Sequence, residues 1–179
     1  MDYQDFFAGN QEALTDIIRD YRDGLLLYLN GIVQNITIAE ELTEDVFVKL
    51  VMKRPRFSAE SSFKTWLYAI GRNLAISYIR RQKHIHISLE NCPELTDDEK
   101  NLERQYIQKE QKIILHNAMK ALKPEYRQVL WLIYFEGFSQ KETARIMGKT
   151  VHNVETLAYR ARQALKVKLL EEGFEYEIL

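Results

Sequence analysis

An all-α chain of two small helical domains joined by an acidic linker is the fold class this sequence predicts. Three observations point to it. Apolar residues recur at three- and four-residue spacing rather than in alternation, and only 7 Gly and 3 Pro punctuate 179 residues. The helical period then fails from Ile85 to about Asn101, where Asn91, Pro93, Glu94, Asp97, Asp98, Glu99 and Lys100 have the composition of an exposed linker. A hydrophobic content of 46% is enough for a core on each side of that break. The expected division is residues 1–84, a linker over 85–102, and residues 103–179.

The elements follow in order. Asn10 can cap a helix that runs to about Gln34, with Leu14, Ile17, Ile18, Tyr21, Leu25, Tyr28, Leu29 and Ile32 as its apolar stripe. Thr37 and Glu40 form a T-x-x-E capping box that starts a second helix near Ile38, and Pro55 stops it. Leu42, Val46 and Leu50 face inward. Glu40, Glu41, Glu44 and Asp45 leave its outer surface acidic around Phe47 and Val48. A loop rich in small hydroxyl residues, RPRFSAESS, leads to a third helix, Phe63 to Lys83, capped by Ser61 or Ser62.

After the linker a helix from about Glu103 to Leu122 offers Tyr106, Ile113, Ile114, Ala118 and Leu122 to a core. Pro124 suits the first turn of the next helix, with Tyr126, Val129, Leu130 and Ile133 inward and Gly137 at its end. Ser139 and Glu142 make a second capping box, Gly148 allows a turn, and Thr150 caps a longer last helix. Val154, Ala158, Ala161 and Leu165 lie inward there, leaving His152, Asn153, Thr156 and Arg160 outward. This is a helix-turn-helix pattern, in which the second helix carries base and phosphate contacts. Arg145, Lys149 and Arg162 add positive charge around it.

The net charge of −1 conceals a segregation. Residues 1–50 carry three basic and ten acidic side chains, whereas residues 51–86 carry eight basic and one acidic. An acidic surface beside a basic one suits a protein partner for the first and a polyanion for the second. The third helix fits the polyanion. Phe63, Leu67, Ile70 and Leu74 share its core side, while Trp66, Asn73 and Arg80 recur every seventh residue on another, with Arg72, Arg81 and Lys83 adding charge. An indole, an amide and guanidinium groups together can stack bases and neutralise phosphates.

Other classes are disfavoured. The single cysteine, Cys92, excludes an internal disulfide and fits a reducing compartment. The acidic start MDYQDFF is unlike a signal peptide, and no apolar run is long enough to span a bilayer, so a cytoplasmic protein is expected. His84, His86 and Cys92 raise the question of zinc. A structural site needs four ligands at tighter spacing, and only His116 and His152 remain elsewhere, so neither metal nor cofactor is expected. No Gly-rich phosphate loop, nucleophile elbow or clustered catalytic set is present, which argues against an enzyme.

Ala39-Glu40-Glu41-Leu42-Thr43-Glu44-Asp45-Val46-Phe47, Phe63-Lys64-Thr65-Trp66-Leu67-Tyr68 with Arg72-Asn73 and Arg80-Arg81, and Leu122-Lys123-Pro124-Glu125-Tyr126-Arg127 followed by Glu136-Gly137-Phe138-Ser139 together resemble a known family. They are similar to the motifs of bacterial RNA polymerase sigma factors of the small, extracytoplasmic-function class. They occur in family order and cover nearly the whole chain. The resemblance implies a region 2 domain, a linker and a region 4 domain. It also implies that Leu42, Glu44, Asp45 and Phe47 meet the clamp helices of the largest polymerase subunit. Phe57, Ser58, Ser61 and Ser62, with Lys64, Trp66, Tyr68, Arg72, Asn73, Arg80 and Arg81, would open and read the −10 promoter element, holding single-stranded bases. His152, Asn153, Thr156 and Arg160 would read the −35 duplex, with Arg127, Ser139 and Lys141 on phosphates. In this family an anti-sigma protein often clamps both domains.

A stand-alone helix-turn-helix regulator is the alternative. The acidic segments are further expected to fold against the DNA surfaces, so that the free chain binds promoter duplex weakly.

Overall fold

The computed structural model describes residues 11–53, 61–85, 113–172 and 174, helical apart from short connecting segments. The elements are α1 (Gln11–Val33), α2 (Ile36–Lys53), α3 (Phe63–Ile85), α4 (residues 113–120), α5 (Pro124–Leu130), a π-helical turn (Trp131–Phe135), α6 (Gln140–Met147) and α7 (Val151–Glu171). No helix among them is long and apolar enough to cross a membrane.

The first three helices make one bundle, each packed on the other two. Its core is the stripe expected of α1, Ile17, Leu25, Tyr28, Leu29 and Ile32, closed by Leu42, Val46 and Leu50 of α2 and by Phe63 and Leu67 of α3. Gly71 brings α3 close to α1, since a Cβ there would lie 2.9 Å from a methyl of Leu25. The α1–α2 connection is tighter than the T-x-x-E pattern suggests. Gln34 takes a left-handed φ of 55°, and the side chain of Asn35, not Thr37, accepts the Ile38 amide at 3.1 Å. An amide at the cap suits that left-handed exit, and α2 therefore begins at Ile36. Ser62, of the two candidate serines, caps α3 by accepting the Thr65 amide at 3.1 Å. The expected cap Asn10, the stop at Pro55 and the linker lie outside the described residues.

In the second half α5 and α6 both pack on α7. Val129, Leu130, Leu132, Ile146, Val154, Ala158 and Ala161 are buried there, whereas Ile113, expected inward, is 54% exposed. Ser139 and Glu142 form the expected capping box, and Gly148 ends α6 in the left-handed region with φ 64°. Thr150 caps α7 by accepting the Asn153 amide at 3.2 Å. The departure from expectation is the end of α5, which widens into a π turn, the Glu136 amide reaching back to the Trp131 carbonyl at 3.1 Å. The turn stacks Trp131 on Phe135, with centroids 4.5 Å apart and planes 9° apart.

Two glycines give opposite expectations. Gly148→Ala forces a side chain into a left-handed position and should lower stability by about 1–2 kcal/mol. Gly31, in α1, has open space where a methyl would stand, and Gly31→Ala should raise stability by about 0.5–1 kcal/mol. Denaturant unfolding of both variants checks the pair.

Candidate nucleic-acid interface

The amphipathic pattern of α3 gives the helix three surfaces rather than two. One enters the bundle core. A second, at 64, 68 and 72, turns toward the other half of the chain, and a third carries Asn73, Ser77 and Arg80, all open to solvent. Trp66 lies on this third side, half-buried, its ring 5.7 Å from that of Phe63. Arg81 is also exposed.

The second surface is covered. The Lys64 ammonium donates to the Glu136 carbonyl at 2.8 Å and pairs with its carboxylate at 3.0 Å. It also sits 4.8 Å from the centre of the Phe138 ring. Tyr68 is 1% exposed. Its ring lies edge-on to Phe138 at 5.1 Å, and its hydroxyl bonds the Glu136 carboxylate. Burial first, and then that carboxylate, push the Tyr68 phenol far above its ordinary range, so it remains protonated and donates. Arg72 donates through Nε to Gln128 Oε1 at 3.0 Å. Nearer the start of the helix, Ser62 and Thr65 donate to Glu142 Oε1 at 3.3 and 3.1 Å. The side chains over this face thus come from α5, α6 and the turn between them. The acidic linker, expected in that place, lies outside the described residues, as do Phe57 and Ser58; Ser61 is half-buried.

Glu142 serves two elements at once. Partial desolvation raises its pKa, but hydrogen bonds from the Ser139 backbone and hydroxyl, and from Thr65 and Ser62, outweigh it and hold the carboxyl below its ordinary value.

At the far end of the second half, His152, Asn153 and Arg160 are exposed and Thr156 is half-exposed on the outer side of α7, where with Lys149 and Leu157 they border one shallow depression. Lys149 is tied to Glu125 at 3.1 Å, fixing the turn against α5. Lys141 is exposed. Ser139 is exposed too, its hydroxyl engaged in the cap.

Three assignments are corrected by burial. Arg127 is 6% exposed and faces no phosphate. It donates to the carbonyls of Gly31 at 2.7 Å, Lys120 at 2.6 Å and Leu122 at 3.1 Å, because these chain ends leave carbonyls that no helix bond satisfies. Leu42 and Phe47 are 5% and 7% exposed. The buried stripe of α2 runs through Ala39, Leu42, Thr43, Val46, Phe47 and Leu50, wide enough to take both side chains away from any partner. What α2 presents outward is Glu44 and Asp45 together with Val48, Val51 and Met52, the last 78% exposed. The uninterrupted run Leu50-Val51-Met52 is the available signal, since one helix face cannot bury three successive apolar residues.

A basic, aromatic helix beside a capped helix-turn-helix is the arrangement that two protein-family descriptions match, "Sigma-70 region 2" over residues 17–85 and "Sigma-70, region 4" over residues 112–165. The chain belongs to the RNA polymerase sigma factors of the extracytoplasmic-function class. It is 29% identical over 171 residues to RNA polymerase sigma factor YlaC of Bacillus subtilis, covering 94% of this chain and 99% of that one. It is 26% identical over 170 residues to the ECF RNA polymerase sigma factor SigW of the same organism, covering 90% and 91%. Among solved structures, the sigma factor RpoE of Bartonella quintana, in complex with the anti-sigma factor NepR, has the same fold, with a TM-score of 0.67, 23% identity and coverage of 88% and 96%. CnrH, in complex with the cytosolic domain of CnrY, gives a TM-score of 0.63 at 22% identity, covering 92% and 91%. The region 2 match beside the region 4 match sets aside a stand-alone helix-turn-helix regulator. This sigma factor is a transcription initiation factor. Its region 2 match contains α3, and its region 4 match contains α6 and α7 as far as Leu165.

Two outcomes are expected of these side chains. Arg127→Met leaves three carbonyls without their donor and should lower unfolding stability by about 3 kcal/mol, as thermal or denaturant unfolding will register. For Glu142 the lowered pKa means that its charge stabilises the fold above the unfolded carboxylate range, and that this contribution is lost as pH falls through the folded pKa. The stability gap between the parent chain and Glu142→Gln should be widest at neutral pH and close below about pH 4.

Proposed function

We propose that this sigma factor binds RNA polymerase core through the outer face of α2, where Glu44 and Asp45 surround Val48 and Met52, and directs it to promoters with two separate DNA surfaces. An exposed apolar group framed by charge of one sign is suited to a protein contact, burial supplying affinity and charge selecting the partner. Residues 1–84 form the core-binding and −10 domain, residues 103–179 the −35 domain, and residues 85–102 the linker between them.

In the first domain Trp66, Asn73 and Arg80 on the open side of α3, with Lys64, Tyr68, Arg72 and Arg81 and the hydroxyl-rich loop Phe57, Ser58, Ser61 and Ser62, take the −10 element. Stacking on an indole compensates for base stacking lost on melting, and the Asn73 amide can pair with an exposed base edge. In the second domain His152, Asn153, Thr156 and Arg160 enter the −35 major groove, with Ser139 and Lys141 beside phosphates. An anti-sigma protein is the expected regulator, as RpoE of Bartonella quintana is held by one.

The observation that supports this is the pairing of a side of α3 that carries a half-buried indole beside an exposed amide and guanidinium with a capped, solvent-facing second helix of a helix-turn-helix. A duplex reader needs only the second. The test is run-off transcription with purified bacterial core polymerase on fragments of the source genome. Discrete transcripts requiring the protein are the expected result, and none, together with no binding to core, would refute it. In the same assay Asn73→Ala should impair promoter opening at least about tenfold with core binding intact. Asp45→Ala with Val48→Ala should weaken core binding and leave the DNA surfaces unaltered; equal loss in both variants would refute the division of labour.

A further inference from the structure

A cavity of about 370 Å³ opens between α1 on one side and α4, α5 and the π turn on the other. Sites for small ligands commonly have volumes of about 300–1,000 Å³. The charge around this one has a single sign. Arg127, 6% exposed, borders it, and each described partner of its guanidinium is a neutral oxygen. A buried cation without a counter-ion is unfavourable and attracts an anion. His116 and Lys120 stand one turn apart on α4 at the same cavity, both exposed, and their side chains make no hydrogen bond or ion pair among the described residues. No acidic side chain is among the described residues that line it.

The lining also has an apolar part. Trp131, stacked on Phe135, borders the cavity beside Met119, which is buried, and Leu27, which is 47% exposed. From α1 comes Gly31, where a Cβ would meet nothing within 4 Å. A glycine inside a helix lowers its stability, and here it keeps open a space that a side chain would enter. Tyr28, in the same wall, has a buried hydroxyl that no described group bonds, a donor left over after the fold has satisfied its own polar groups.

We propose that this cavity binds a small aromatic carboxylate, with its ring against Trp131 and Met119 and its carboxylate toward Lys120 and His116. An indole and a thioether suit a flat ring. An ammonium and an imidazole one turn apart supply the charge-assisted hydrogen bonds that separate an acid from its neutral analogue. Arg127, whose donors are spent on carbonyls, adds its field. Gly31, Lys120 and Trp131 belong to no polymerase or DNA surface described above, so the site stands independently of the promoter assignments.

The full chain has two tryptophans, and their indole N–H signals, assigned with Trp66→Phe, report position and affinity together in a heteronuclear NMR titration. The probes are naphthylacetate and its uncharged analogue naphthylacetamide. The expected result is a saturable shift of the Trp131 signal with Trp66 unmoved, and a Kd for the acid at least about tenfold below that of the amide. Gly31→Leu fills the cavity and should abolish the shift in a chain that circular dichroism shows to be folded. Lys120→Gln should weaken the acid about tenfold and leave the amide unchanged. Lys123→Gln, outside the lining, should alter neither.

No saturable shift of Trp131 below about 1 mM acid overturns the site. Equal affinity for acid and amide does so too, as does equal movement of both indole signals or undiminished binding by folded Gly31→Leu. If Gly31→Leu does not fold, Lys120→Gln decides, and an unchanged affinity for the acid overturns the proposal.

Discussion

The arrangement of the two halves depends on one carboxylate. Glu136 stands where an ammonium, a phenol and an indole N–H converge, and it has room there because α1 lacks a side chain at Gly24. A partly buried carboxylate is unfavourable unless its oxygens are satisfied. Here three donors meet it, two from region 2 and one from its own domain. The ion pair supplies direction rather than bulk affinity. The ring of Phe138 against Tyr68 supplies the apolar contact, and it makes the cores of the two domains one continuous cluster.

Around that contact each region is held by its own means. Region 2 is a three-helix bundle in which a glycine at Gly71 brings α3 close to α1. Region 4 is smaller and relies on end chemistry, with a capping box at Ser139, a left-handed glycine at 148 and a threonine cap at 150. Arg127 is the counterpart of these caps for carbonyls. It collects two from the end of α4 and one from α1, so a residue that resembles a phosphate ligand in sequence instead satisfies the backbone. The outer side of α7, with His152, Asn153 and Arg160 exposed, takes no part in these caps.

Most of the fold is legible in the sequence because helical periodicity, capping boxes and glycine stops are local signals. The α1 stripe, the Ser139 capping box, the Gly148 turn and the inward set Val154, Ala158 and Ala161 all stand where their spacing places them. The positions that differ share one cause. The resemblance puts Leu42 and Phe47 on a polymerase contact and Arg127 on a phosphate, although spacing alone already turns Leu42 inward; burial is decided by how wide a face the neighbouring helices cover. The start of α2 shifts by a residue or two because the asparagine that follows the left-handed Gln34 competes as a cap with a threonine two positions later.

By itself the sequence determined the class of fold, the order of the helices, the helix-turn-helix and the identity of the charged and aromatic groups on α3, since each follows from residues close together in the chain. Tertiary structure alone decided which of those groups are open. Lys64, Tyr68 and Arg72 share a helix with Asn73 and Arg80, yet the first three meet Glu136, Phe138 and Gln128, which lie far along the chain. Such contacts depend on the π turn and on the space left at Gly24. Neither has a local sequence signal, because both become meaningful only when two distant surfaces are brought together.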